Sequence, residues 1–448
     1  MAPSAATLKD RIHAAMPQVR QDLETLVAIP SVSATDWPPE PLRQSADAVA
    51  EMLRAVGAEV KILRSEHGHP AVVGYVKAPP GAPTVLLYAH HDVQPPGPES
   101  EWGSPAFTPT MRDGRLYGRG SSDDKAGVVA HIAALRAFEG KPPVGVAVFI
   151  EGEEEAGSEN LRSYLEQERE RLACDAVVVA DGGNWRLGEP ALTTTLRGVV
   201  SCVVELRVLD KAVHSGQFGG PFPDALTSLV HLLATLHDKK GEVAIEGIAR
   251  GKAKKLDLTE DELRKQAGAR SGVTLIGKGG LTDRLWMKPS VSILAIDAPA
   301  VRDAINQLVP VARAKVSMRI PPGQDGKKAL AALVEHLRKN VPWGAEARFT
   351  HESSGEPFVT KTGGPAYKAM KGALSKAWDH KAIDIGAGGT IPFLFDLAEL
   401  FPKAEIMVTG VEDPRSGAHG PDESLDLGEL ERACLAEALF LARMAKSS

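Results

Sequence analysis

Val85-Leu86-Leu87-Tyr88-Ala89-His90-His91-Asp92 is an unbroken apolar run that stops on three polar residues, each able to bind a metal. Continuous hydrophobicity of this kind is expected of a strand covered on both faces in a parallel sheet. Similar Val-, Ile- and Leu-rich runs occupy 144–150, 176–180 and 406–408, with helical patterns such as 126–138 and 161–172 beside them. The expected fold is therefore α/β, with a mostly parallel sheet covered by helices. The first run stops at His90, the second at the acidic string Glu151 to Glu155, and the third at Asp181. Ligands of open α/β sheets bind beyond the carboxyl ends of the strands, so these residues are expected to converge.

The whole chain has 448 residues, more than one small module requires, and favours two or three domains. Lys and Arg total 52 against 58 Asp and Glu, a net charge of −6, which provides no basic excess for a phosphate backbone. Nucleic acid is not an expected partner. No apolar run approaches the roughly 18 residues that span a bilayer, so no membrane partner is expected either. The first thirty residues intersperse charges with apolar positions, which fits an amphipathic helix better than a signal peptide. Three cysteines, Cys174, Cys202 and Cys434, are too few for a disulfide framework or a thiolate cage, and a reducing cytoplasm is expected.

From about Arg197 the pattern changes. Residues 199–209 and 314–320 read as strands with one wet face, the second alternating Lys315, Ser317 and Arg319 with Val316, Met318 and Ile320. They bracket helical stretches at 224–237 and 327–339. The segment 197–353 is expected to be an inserted α+β domain, and 1–196 with 354–448 a discontinuous catalytic domain.

His90 and Asp92 lie two apart on an extended segment and can share a face while His91 points away. An imidazole with its second nitrogen held by a carboxylate is a common metal-ligand arrangement. Asp123 follows Gly118-Arg119-Gly120, where a carboxylate can cap a helix. It also occupies the third glycine position of a dinucleotide fingerprint and would repel a pyrophosphate. Of the adjacent glutamates Glu153, Glu154 and Glu155, neighbours cannot point the same way, so one can bind metal while the next serves as a general base. Taken singly, Asp181 and His419 read as structural. Taken together, two histidines and three carboxylates without cysteine suit zinc, manganese or cobalt, and one bridging carboxylate would make a two-metal hydrolase site.

Five motifs carry a resemblance: 87–95 around His90-His91-Asp92, 116–125 around Asp123-Asp124, 151–158 around Glu153-Glu154-Glu155, His214-Ser215-Gly216 and Ala418-His419-Gly420-Pro421. In this order they resemble the M20 metallopeptidases, and within them the carnosinase-like and non-specific dipeptidase branch, over residues 8–445. The resemblance implies two divalent ions per chain, zinc first and manganese or cobalt as alternatives. Asp123 would be shared, His90 and Asp181 would complete one ion's set, and Glu155 and His419 the other's. Glu154 would be the general base acting on a metal-bridged hydroxide, with Asp92 orienting His90. A cis peptide is implied at Asp123-Asp124. The inserted domain would be a lid and dimerisation domain, its His214 reaching the partner subunit's site in a homodimer. Arg319 would bind a substrate carboxylate, and Gly388, Gly389 and Thr390 would form a substrate loop. Gly386 and Ala387 stand where many relatives carry Arg and Glu. His67, His69, His131 and the cysteines match no functional position. The implied reaction is hydrolysis of a dipeptide or similar short peptide. The same site could serve an N-acyl or N-carbamoyl amino acid amidohydrolase, though the size of the insertion favours the dipeptidase. A non-catalytic binding protein on this fold would have lost a ligand or the base, and none is missing.

Overall fold

The computed structural model describes residues 3–66, 68–391 and 393–445, so His67 lies outside it. The chain divides into two compact units, Met1–Thr194 with Thr360–Ile385 and Pro392–Ser448, and Thr195–Val359 with Gly386–Ile391.

In the first unit the strands Gly145–Glu151, Thr84–His90, Ala176–Val179 and Glu405–Val408 lie side by side and parallel. They are the four apolar runs, and all but their opening residues are buried wherever they are not buried throughout. Antiparallel strands flank them, Ala71–Val76 and Glu59–Leu63 on one side and Ala191–Leu196 on the other. Val85, Leu87 and Ala89 join a core built with helices Ala5–Val27, Lys125–Ala137, Pro365–Trp378 and Leu427–Met444. Because side chains alternate along a strand, Tyr88 faces the other way. There its ring packs at a tilt against Phe393 of helix Phe393–Leu400, the centroids 4.1 Å apart. The sheet is thus covered on both faces, which is why its centre reads as continuous hydrophobicity.

Two local expectations change. The stretch 161–172 is two helices, Leu161–Gln167 and Arg169–Leu172, broken at Glu168, whose buried carboxylate pairs with Lys61. Helix Lys125–Ala137 begins after Asp124, not at Asp123, so capping is not what Asp123 does.

The second unit is a four-stranded antiparallel sheet in the order Ser290–Asp297, Val311–Ile320, Gly198–Arg207, Glu346–Gly355. Ala312, Ala314, Val316, Met318 and Ile320 point into a core with helices Ala225–Ala234 and Gly326–Lys339, whereas Arg313, Lys315, Ser317 and Arg319 do not. Asp224 caps its helix through the Thr227 N–H at 2.9 Å. The sequence reading assigns 1–196 and 354–448 to the first unit, but Thr195, Leu196, 354–359 and the separate segment Gly386–Ile391 belong to the second. Arg197 holds that segment: its Nε donates to the Gly388 carbonyl at 3.3 Å, and its own carbonyl accepts from Thr390 Oγ1 at 2.6 Å.

Candidate metal centre

Parallel register places the carboxyl ends of three core strands at one edge. His90 pairs with Glu151, and Ala180 N donates to Tyr88 O at 2.9 Å, which brings Asp181 beside them. Among the described residues, His90, Asp123 and Asp181 form one group able to hold an ion, and Asp123, Glu155 and His419 another. Within each group the donor atoms lie within 4.8 Å of one another. Asp123 belongs to both. Its Oδ1 is 3.1 Å from His90 Nε2 and its Oδ2 is 3.0 Å from His419 Nε2. The peptide between Asp123 and Asp124 is cis.

His90 is fully buried and its Nδ1 faces Asp92, 3.1 Å from the carbonyl and 3.4 Å from the carboxylate. This leaves Nε2 for the cluster. His91 turns away, as alternation requires, and its Nε2 meets Pro70 O at 2.9 Å. Burial pushes its imidazole down to about 4. Asp92 also makes contacts that spacing did not reveal. Its Oδ1 accepts the Glu154 N–H at 3.2 Å and its Oδ2 the Glu155 N–H at 3.0 Å, so one carboxylate anchors the turn carrying both glutamates.

The three glutamates separate as the alternation argument requires. Glu153 accepts from the backbone of His69 and Asn160. Glu155 Oε2 lies 3.3 Å from His419 Nε2 and accepts from Gln94 Nε2 at 2.8 Å. Glu154 is half-buried beside Asp181, and desolvation followed by that charge pushes its carboxyl well above the ordinary range.

The cluster's electrostatics favour a cation. Burial and then Asp123 push Asp181 up to about 7. Burial would raise Asp123 too, but hydrogen bonds from His419 and His90 hold it far below the usual range. The same contacts with Asp123 and Glu155 push His419 up to about 11. Carboxylates crowded around one point, with only imidazoles to neutralise them, leave a negative potential that divalent ions would fill. Nitrogen and oxygen donors without thiolate fit such ions.

Other residues singled out from sequence lie in the second unit. His214 is exposed, and its Nδ1 accepts the Gly216 N–H at 3.0 Å, which places the proton of the neutral ring on Nε2. Arg319 Nη1 donates to Thr390 Oγ1 at 2.8 Å. Arg197, which sequence reading missed, donates through Nη1 to Ser290 Oγ at 3.0 Å, and burial and then Arg319 push its guanidinium down to about 10. Neither arginine has a carboxylate partner among the described residues. A Cβ at Gly386 would lie 2.7 Å from Trp286 Cγ, so an arginine there would have no room without a shift of Trp286. In the first unit, His131 is buried between Glu437 and the Tyr88 carbonyl, and His69 Nε2 meets Ser33 O, both structural placements.

The description of the family model that matches residues 86–443 is peptidase family M20/M25/M40. A cysteinylglycine-S-conjugate dipeptidase of Corynebacterium striatum is 33% identical over 438 residues, covering 96% of each chain. A Beta-Ala-His dipeptidase of Rattus norvegicus is 28% identical over 450 residues, covering 92% of this chain and 85% of the relative. The crystal structure of human carnosine dipeptidase 1 matches with a TM-score of 0.84 at 25% identity and 100% coverage of both chains. The matched span includes every donor of the cluster from His90 to His419, and this chain belongs to peptidase family M20/M25/M40.

Proposed function

We propose that this protein is a metal-dependent dipeptidase that hydrolyses the amide bond of dipeptides or similar short peptides. The observation that carries the reading is Asp123, whose two carboxylate oxygens face two different imidazoles, as a carboxylate shared by two ions would. The names of the similar dipeptidases support the substrate class. His90, Asp123 and Asp181 would hold one ion, and Asp123, Glu155 and His419 the other. Zinc is the proposed ion, with manganese or cobalt as alternatives. Bound there, the ions would polarise the scissile carbonyl and acidify the attacking water.

The residues supply the rest. Glu154, whose half-buried position beside Asp181 makes it a willing proton acceptor, takes the proton from water and passes it to the leaving amine. Asp92 orients His90 and holds the Glu154-Glu155 turn. Arg319, with Gly388, Gly389 and Thr390 beside it, receives the substrate carboxylate, and its lack of a carboxylate partner among the described residues supports this role.

The second unit is proposed as a lid and dimerisation domain of a homodimer in which His214 acts on the partner's site. Its edge strand Ser290–Asp297 supports this, with Ile293, Leu294 and Ile296 exposed at 39%, 58% and 45%. Among the described residues no helix is long and apolar enough to cross a membrane, and the three cysteines are unpaired. The unpaired cysteines support a reducing cytoplasm, and the net charge of −6 offers no basic excess for nucleic acid.

The direct test is metal content with activity. Reconstituted protein should hold up to two divalent ions per chain, and chelation should abolish dipeptide hydrolysis and lower Tm, because the carboxylates are left facing one another. Full activity with less than one ion per chain refutes the two-ion reading. Arg319→Ala should lower kcat/KM for dipeptides with a free carboxylate by more than for their amides, since a guanidinium–carboxylate pair is lost. Equal losses on both substrates would remove Arg319 from carboxylate recognition.

A further inference from the structure

The donors of the two groups are held by different means. His90 ends a core strand and Asp181 follows another, so sheet hydrogen bonds set their separation. His419 lies in no regular element, with φ at +63°, and Asp123 is in the loop before helix Lys125–Ala137. The core sheet does not hold these two together; their segments meet where strands Arg115–Tyr117 and Ser424–Asp426 pair, several residues from Asp123 and His419.

A buried ion pair lies behind them. Arg119 and Glu423 are each about 1% exposed, with Nη1 2.7 Å from Oε2. Glu423 Oε1 accepts the N–H groups of Ser122 at 2.9 Å and Asp123 at 3.1 Å, and the Ser122 hydroxyl at 3.1 Å. Its Oε2 accepts the Gly120 N–H at 3.0 Å. Arg119 reaches the other way, Nη2 donating to the His419 carbonyl at 3.1 Å and to Pro95 O at 3.3 Å. The clasp is reciprocal: a side chain from each segment binds the other segment's backbone.

We propose that Arg119 and Glu423 are positioning residues that set Asp123 against His419 and so build the second ion site, a role that rests on the two-ion reading above. Stability is a poor reason to keep such a pair, because desolvating both ions offsets most of their attraction. Geometry is a better one. A carboxylate has lone pairs enough for several converging N–H groups, and a guanidinium is a planar fork that binds an acid and a carbonyl together.

The test titrates zinc into metal-stripped full-length protein against a chromophoric chelator, with His419→Ala identifying which of the two ions belongs to the second site. Arg119→Lys keeps the charge and loses the fork, and Glu423→Gln keeps the shape and turns an NH₂ toward the backbone donors. In each variant the ion missing from His419→Ala should bind about 10- to 100-fold more weakly, the range for residues behind metal ligands, while the other changes less. The metal-free variants should keep the far-UV circular dichroism of the wild type. Wild-type binding of both ions in the variants, or equal weakening of both, overturns the proposal. Loss of folded protein in both variants also overturns it, since the pair would then support the fold and not one site. Wild-type protein that takes up only one ion fails the two-ion reading itself, which is a distinguishable result.

Discussion

Glu154→Gln leaves both groups of candidate ligands in place and lowers kcat for dipeptide hydrolysis by about 100- to 10,000-fold, the range expected on removing a general base. The turn should survive the substitution. Its geometry depends on the Glu154 and Glu155 N–H groups bound to Asp92, and glutamine changes neither. Its side chain is half-buried, and an amide of the same shape fits there but cannot accept the proton. Glu155→Gln should do the opposite, weakening the ion shared with His419, because Glu155 Oε2 faces that imidazole. Metal analysis beside single-turnover kinetics separates the two. Exchanged phenotypes would reverse the assignment of base and ligand.

Subunit exchange between Glu154→Gln and His214→Ala restores roughly a quarter of wild-type activity, although each homodimer alone is nearly inactive. In the parent homodimers every site lacks either its base or the donor proposed to stabilise the carbonyl oxygen. If His214 serves the partner's site, exchange concentrates both defects in one site and leaves the other whole. A statistical mixture is half heterodimer with one of two sites intact. The ring suits this role because Gly216 occupies Nδ1, so the exposed Nε2–H is a donor without the need for positive charge. Native mass spectrometry counts the heterodimers, and heterodimers without recovered activity would confine His214 to its own chain or remove it from catalysis.

Much of the first unit was legible because its physics is local. A strand buried on both faces must be apolar throughout, so 85–89, 144–150, 176–180 and 406–408 announced themselves and their order placed His90 and Asp181 at one edge. Period-two alternation likewise separated His90 from His91, and the acidic string sorted into Glu153, Glu154 and Glu155 with different partners. The break at Glu168 was not legible, and neither was the pairing of that residue with Lys61, more than a hundred residues away.

What the sequence determined alone was the set of chemistry-bearing residues and the layer they belong to, since residue type and periodicity are properties of neighbours along the chain. Tertiary structure alone decided how those residues are held. Asp92 grips the Glu154-Glu155 turn, Arg119 and Glu423 clasp Asp123 to His419, Arg197 draws Gly386–Ile391 into the second unit, and Trp286 fills the space beside Gly386. Each is a contact between segments dozens to hundreds of residues apart. Hydrogen bonds and packing act through space at about 3–4 Å, so no spacing along the chain encodes them.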